Sequence, residues 1–408
     1  MSFSDFLRHL RQDELSAPNV SHWQVFPARA ADLRPLPAEL PQPLLAALQS
    51  RGIQALYSHQ SEAWLAAQRG ENIVLATGTA SGKTLAYNLP VLSALTENPL
   101  ARALYLYPTK ALAQDQFSGI SEQFTVPAAI YDGDTPQAKR KTVREKAQIV
   151  LSNPDMLHAG ILPHHTLWAE FLRNLRFVVI DELHTYRGVF GSHVANVIRR
   201  LKRIAAFYGA QPQFILTSAT IGNPAELAGR LVEAPVTLID RDGSARGEKH
   251  FLVYNPPVVD EALGLRKSSV QEAVRLGKEL LAADVQSVIF ARSRRGVEIL
   301  LSYLPPSAPT LHPPPNSTNL GGGRGGGPIR GYRSGYLPAH RREIEQGLRA
   351  GEVRLVVATN ALELGIDIGG LGAALLVGYP GSLASTYQQA GRAGRGDAPA
   401  VSILLASP

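Results

Sequence analysis

The residues best suited to do chemistry lie in three short runs: TGTASGKT at 77–84, DELH at 181–184 and QQAGRAGR at 388–395. In the first run, small residues at Gly78, Ala80 and Gly82 let backbone amides turn inward around phosphate oxygens, and a following helix would point its positive end at the same anion. Lys83 would neutralise β- and γ-phosphate charge, and Thr84 would offer a hydroxyl to Mg2+. The candidate ATP-binding loop is therefore Thr77, Gly78, Thr79, Ala80, Ser81, Gly82, Lys83 and Thr84. It departs from the usual G-x-x-x-x-G-K-[ST] pattern, because Thr77 stands where glycine is wanted and the glycine is displaced by one, to Gly78. A glycine-rich turn carrying a chance Lys-Thr pair is the bland alternative.

The second run ends an apolar stretch, FVVI, in two adjacent carboxylates. At the carboxyl end of a buried strand, Asp181 would hold Mg2+ through water, and Glu182 would orient and deprotonate a water attacking the γ-phosphate. His184 is placed to relay the nucleotide state to neighbouring strands. The alternative is that Asp-Glu merely caps the next helix. PTKALAQDQ and SNPDMLH each follow a strand and begin a helix, so Thr109 and Asn153, with nearby amides, can meet the phosphates of a nucleic acid.

These side chains need strands to hold them. NIVLAT, ALYLYP, AAIYDG, IVLSNP, FVVIDE and FILTSA alternate with helical stretches, the rhythm of a parallel sheet covered on both faces. A second series, FLVYN, SVIFA, LVVATN, AALLVGY and VSILLA, follows the polar segment RDGSARGEK. The expected fold class is α/β, with two tandem P-loop-type domains at 51–245 and 246–408. Residues 1–50 read as an irregular leader ending in a short helix, LLAALQSRG. The Pro/Gly-rich stretch 305–328 reads as an insertion without a core of its own.

The composition narrows the class. Hydrophobic residues make up 45% and charged residues 18%, a globular balance, and no apolar run is long enough to span a membrane. The N-terminus lacks a secretory signal, which points to a cytoplasmic protein. With no cysteine the chain makes neither disulfides nor thiolate metal sites. A formal charge of +7 favours a polyanionic partner, although the runs AKRKTVREK and RRLKRI read as solvated helix faces.

In order along the chain, TGTASGKT, PTKALAQDQ, DELH, TSAT, ATNALELGID and QQAGRAGR resemble the motifs of superfamily-two helicases. More narrowly, LYSHQ, SNPDMLH, DELHTYRGVFGSHVANVIRRLKRI and YRSGYLPAHRREIE are similar to DExH-box helicases of the bacterial mitomycin-repair type and their fungal RecQ-four-like relatives. The likeness runs from about residue 20 to the last residue, omitting the Pro/Gly insertion.

The resemblance implies two RecA-like domains and assigns further roles. Gln60 of LYSHQ would read the adenine edge, for which an amide's donor and acceptor are suited. Ser218 and Thr220 of TSAT would link hydrolysis to domain movement. Arg292 and Thr359 would contact the nucleic-acid backbone, and Asp367 would support the nucleotide cleft. Gln388, Arg392 and Arg395 match Q-x-x-G-R-x-G-R, and such arginines stabilise charge forming on a transferred phosphoryl group.

The implied activity is an ATP- and Mg2+-dependent DNA helicase or translocase, 3′ to 5′ and repair-related, on single-stranded or tailed DNA. An RNA-remodelling ATPase and a nucleotide-gated DNA clamp are the competing readings. Protein partners are not legible. Relatives of this kind continue into a cysteine-rich metal-binding region that this cysteine-free chain lacks, so a fragment, a split gene product or a minimal motor are all open.

Overall fold

Strands that are apolar on both faces can be buried only inside a sheet that helices cover on both sides, and ten of the eleven expected runs behave in that way. The computed structural model describes residues 2–124, 126–304, 328–363, 369–394 and 397–407. The chain divides into two units, Ala31–Ser244 and a second made of Met1–Ala30 with Ala245–Pro408. Each is α/β and each has a seven-stranded sheet among the described residues.

In the unit Ala31–Ser244 the strands lie in the order Thr237–Ile239, Ile73–Leu75, Gln213–Thr217, Leu175–Ile180, Arg102–Leu106, Ile149–Ser152 and Ala128–Ile130. All six pairings are parallel. The carboxyl ends therefore share one edge, and the spatial order differs from the chain order. The strands ending in the phosphate loop, TSAT, DELH and PTK thus become neighbours although they are far apart in sequence. One apolar cluster fills each face of this sheet, with Tyr87, Tyr105 and Trp64 on one side and Trp168, Phe171 and Phe214 on the other.

The other unit runs in the order Val20–Phe26, Lys249–Tyr254, Ala400–Leu405, Ala373–Val377, Ser287–Phe290, Leu355–Ala358 and Ile329–Tyr332. Every pairing is parallel except the first. That exception corrects the expectation for the first fifty residues, which are not an irregular leader. Helix Phe3–Gln12 begins in a reciprocal cap between Ser2 and Asp5, and buries Phe6 and Leu10 against Leu252 and Leu276. Strand Val20–Phe26 then pairs antiparallel with Lys249–Tyr254. Only from Ala31 does the chain enter the other unit, where the short helix expected at the end of this stretch is found at Gln42–Ser50.

Three strands of the seven-stranded sheets escaped the sequence reading: Val20–Phe26, Thr237–Ile239 and Ile329–Tyr332. All lie at sheet edges, where one side is uncovered and the apolar run is diluted. Among the described residues no helix is long and apolar enough to cross a membrane.

Candidate nucleotide site and nucleic-acid contacts

Strand Ile73–Leu75 runs into a loop over residues 76–82 and then helix Lys83–Glu97, the order expected. Gly82 caps the helix at φ +81°, and a Cβ there would sit 2.6 Å from Gln60 Nε2, so both the conformation and the space demand glycine. The departure at Thr77 has a structural use. Its hydroxyl lies 2.7 Å from that of Ser81, with both residues buried, so the side chain closes the loop from inside. Lys83 Nζ donates to the carbonyls of Thr77 at 3.0 Å and Gly78 at 2.6 Å. Those carbonyls hold the ammonium where phosphate oxygens would compete for it.

Asp181 follows strand Leu175–Ile180 and is almost fully buried. Its Oδ1 accepts hydrogen bonds from the Glu182 amide at 2.9 Å and, closely, from the Thr217 hydroxyl. Burial and the adjacent Glu182 charge push its carboxyl up to about 6, while Thr217, the Glu182 amide and Lys83 pull the other way. Glu182 itself takes a left-handed backbone conformation at φ +53°, uncommon for a residue with a side chain. His184 is buried beside it, with Nδ1 accepting from the Ala219 amide at 3.3 Å and 3.5 Å from Glu182 Oε2. DELH and TSAT are thereby joined across neighbouring strands. Ser218 is fully buried, and its hydroxyl has no hydrogen-bond partner among the described residues; Thr220 is exposed.

Beside the loop opens a cavity of about 550 Å³ whose walls include Leu33, Ile53, Tyr57, Gln60, Leu85 and Phe124. The Gln60 amide is oriented at both ends: Oε1 accepts from the Tyr57 amide at 2.9 Å and Nε2 donates to the Gly82 carbonyl at 3.0 Å. One further lone pair and one further N–H remain to face a base. Two residues here were missed from sequence. His59 Nδ1 accepts from the Gly243 amide at 3.2 Å, so Nε2 carries the proton and donates to the Ser81 carbonyl at 2.9 Å, tying down the loop. Thr217, which directly precedes the serine of the TSAT run and is part of it, holds Asp181; only its position beside SAT could have flagged it.

Thr109 and Asn153 are helix caps, as expected from their placement. The Thr109 hydroxyl accepts from the Leu112 amide at 3.3 Å at the head of helix Lys110–Gln123, and Asn153 Oδ1 accepts from the Met156 amide at 2.8 Å. Both lie on the carboxyl edge that carries Asp181, because Arg102–Leu106 pairs with Leu175–Ile180 on one side and Ile149–Ser152 on the other. In the other unit Arg292 is exposed after strand Ser287–Phe290, and Thr359 caps a short turn by accepting from the Ala361 amide at 3.3 Å after the neighbouring strand. Gln388 and Arg392 are buried, with Arg392 Nη2 donating to the Glu363 carbonyl at 2.5 Å. Arg395 and Asp367 lie outside the described residues, as does nearly all of the Pro/Gly stretch.

Residues 57–227 match the DEAD/DEAH box helicase family, and residues 272–397 match the helicase conserved C-terminal domain, one in each unit. This pairing of domains defines the superfamily-two helicases. The chain is 50% identical to the ATP-dependent helicase YprA of Bacillus subtilis over its whole length, covering 53% of that protein. It is 37% identical to the ATP-dependent helicase HRQ1 of Saccharomyces cerevisiae, over 98% of this chain and 37% of that one. Among solved structures, the DUF1998 helicase MrfA bound to DNA and AMPPNP superposes with a TM-score of 0.90 at 49% identity, over all of this chain and 55% of that one. The chain carries both helicase domains and is homologous to the MrfA and Hrq1 helicases. It spans about half the length of YprA and MrfA.

Proposed function

We propose that the chain is the ATP-driven motor of a DNA helicase or translocase. The observation that carries this reading is the shared carboxyl edge of one parallel sheet, which holds Lys83 and Thr84, then Ser218, then Asp181 and Glu182, then Thr109 and Asn153. A nucleotide site and a phosphate-gripping surface are thus neighbours on the same rigid element.

In this reading the triphosphate enters the loop formed by Thr77, Gly78, Thr79, Ala80, Ser81 and Gly82, and Lys83 exchanges two backbone carbonyls for phosphate oxygens. Gln60 meets the adenine with its remaining donor and acceptor. Thr84 and Asp181 are hard oxygen donors that suit Mg2+. Among the described residues no group of three His, Cys, Asp or Glu could hold a metal alone, so phosphate oxygens and waters complete the set. Bound there, Mg2+ would neutralise phosphate charge and draw the Asp181 carboxyl back toward its ionised form. Glu182 takes the proton of the attacking water, with His184 holding it against the TSAT segment and Ser218 and Thr220 carrying the change onward.

Gln388, Arg392 and Arg395 are assigned to the charge that builds on the transferred phosphoryl group, and Asp367 to the support of the nucleotide cleft. Backbone phosphates of the strand rest on the amides after Thr109 and Asn153, and on Arg292 and Thr359. Such contacts position a strand without reading its bases, so affinity falls as salt rises. The DNA bound to the similar helicase MrfA supports DNA as the track, and movement 3′ to 5′, a role in repair and a cytoplasmic setting complete the proposal.

The test is ATP turnover with and without single-stranded DNA, and with an RNA strand of matched sequence. Strong stimulation by DNA is expected, with near-complete loss in Lys83→Ala and Arg395→Ala. Turnover indifferent to DNA would leave a nucleotide-gated clamp, and stimulation by RNA alone would make the chain an RNA-remodelling motor.

A further inference from the structure

Behind the phosphate loop, Tyr87, Tyr105 and Tyr107 are buried at 1% exposure or less. A buried phenolic hydroxyl is unfavourable unless it is hydrogen-bonded, so the partner of each is informative. Tyr105 donates to Asn88 Oδ1 at 2.8 Å, a contact that returns to helix Lys83–Glu97. Tyr87 does something different. Its hydroxyl donates to Gln116 Oε1 at 3.1 Å and lies 3.4 Å from the Tyr107 hydroxyl, and Tyr87 itself stands three residues after Thr84 on the same helix.

The two helices that Tyr87 joins have different uses. Helix Lys83–Glu97 begins with Lys83 and Thr84 of the candidate nucleotide site. Gln116 belongs to helix Lys110–Gln123, which Thr109 caps, and Tyr107 lies two residues before that cap. One buried oxygen therefore connects the helix of the nucleotide site to the helix whose amino end is assigned to the nucleic-acid backbone.

We propose that Tyr87 is a positioning residue that couples nucleotide occupancy to the grip on DNA, through the helix it shares with Lys83 and Thr84 on one side and through Gln116 on the other. The inference rests on the function proposed above and names how its two sites communicate. When the amino end of helix Lys83–Glu97 takes up the nucleotide, Tyr87 moves with the first turns of that helix. Its hydrogen bond to Gln116 carries the shift to helix Lys110–Gln123. Helix Lys110–Gln123 is thereby drawn toward helix Lys83–Glu97 in the nucleotide-bound state only. Such coupling is reciprocal, so bound DNA tightens the nucleotide by the same factor.

The experiment uses the full chain, AMPPNP with Mg2+, and a fluorescent single-stranded oligothymidylate, and measures the DNA Kd with and without the nucleotide. In the unaltered protein the two values differ. Tyr87→Phe and Gln116→Ala are expected to bring their ratio toward one, by about fivefold, while AMPPNP affinity without DNA stays nearly unchanged. Tyr105→Phe removes a neighbouring buried hydroxyl off this route and should keep the unaltered ratio. An unaltered ratio in Tyr87→Phe overturns the inference, as does an equal loss in Tyr105→Phe or equal DNA affinities in the unaltered protein. If DNA binds in neither nucleotide state, the proposed function falls with it.

Discussion

Two buried carboxylates, one in each unit, are treated in opposite ways. Asp181 has only neutral donors in direct contact, Thr217 and a backbone amide, and its carboxyl is pushed up to about 6 by burial and by Glu182. Glu272, in helix Ser269–Ala282, is also buried, yet its Oε1 forms an ion pair with Lys267 Nζ at 2.7 Å, and its Oε2 accepts from Arg275 Nε at 3.0 Å and from the Tyr254 hydroxyl at 3.0 Å. Burial works to raise its carboxyl too, but those partners outweigh burial and hold it below the usual range. The fold compensates Glu272, while among the described residues no cation contacts Asp181 directly. A buried acid whose pKa is raised in this way marks a candidate functional site.

The largest effect belongs to the cation side of the candidate site. Lys83→Ala should lower ATP turnover by about a hundredfold or more, measured as phosphate release, with little change in melting temperature because its bonds to the Thr77 and Gly78 carbonyls lie in a loop. Turnover within a few fold of the unaltered chain would put the chemistry elsewhere and dissolve the contrast. In the other unit, Glu272→Ala takes the buried carboxylate away from Lys267, Arg275 and the Tyr254 hydroxyl, leaving Arg275 its pair with Glu279. It should cost about 3 kcal/mol of stability, read from urea unfolding, and leave turnover per folded molecule intact.

Gln60→Ala gives a smaller effect. Losing one oriented amide should raise the KM for ATP about tenfold, the equivalent of one hydrogen bond to a base, with kcat held. A fall in kcat at constant KM would mean that Gln60 supports the loop through Gly82 rather than the base. The smallest effect is also the sharpest test of the comparison. Because the folded carboxyl of Asp181 is raised above its ordinary 3.8, its favourable protonated form is complete below that value and is lost as pH climbs through about 6. Asp181→Asn should therefore be more stable than the unaltered chain at pH 8, by on the order of 1 kcal/mol, with the gain fading toward pH 4 in thermal melts. Glu272→Gln should show the opposite sign at pH 8.

Much of the site was legible because its chemistry is local. TGTASGKT, DELH and the two caps each combine side chains with the backbone of the same few residues, so spacing alone carries the meaning. The central strands were legible for a related reason: burial on both faces leaves unbroken apolar runs. Three of the four edge strands were not, and the destination of residues 1–30 could not be read, because pairing with Lys249–Tyr254 is a contact across more than two hundred residues. His59 was invisible for the same reason, since its partners, Ser81 and Gly243, are reached only through the fold.

By itself, then, the amino-acid sequence determined the two α/β units, the phosphate loop and the paired acids, because helix starts, strand ends and glycine turns depend on neighbouring residues. Tertiary structure alone decided which strand ends lie side by side, that Thr77 turns inward to Ser81, and that Asp181 is left without a contacting cation where Glu272 has two. Those outcomes depend on the order of strands in a sheet and on the dielectric of a packed interior. No short run of residues encodes either.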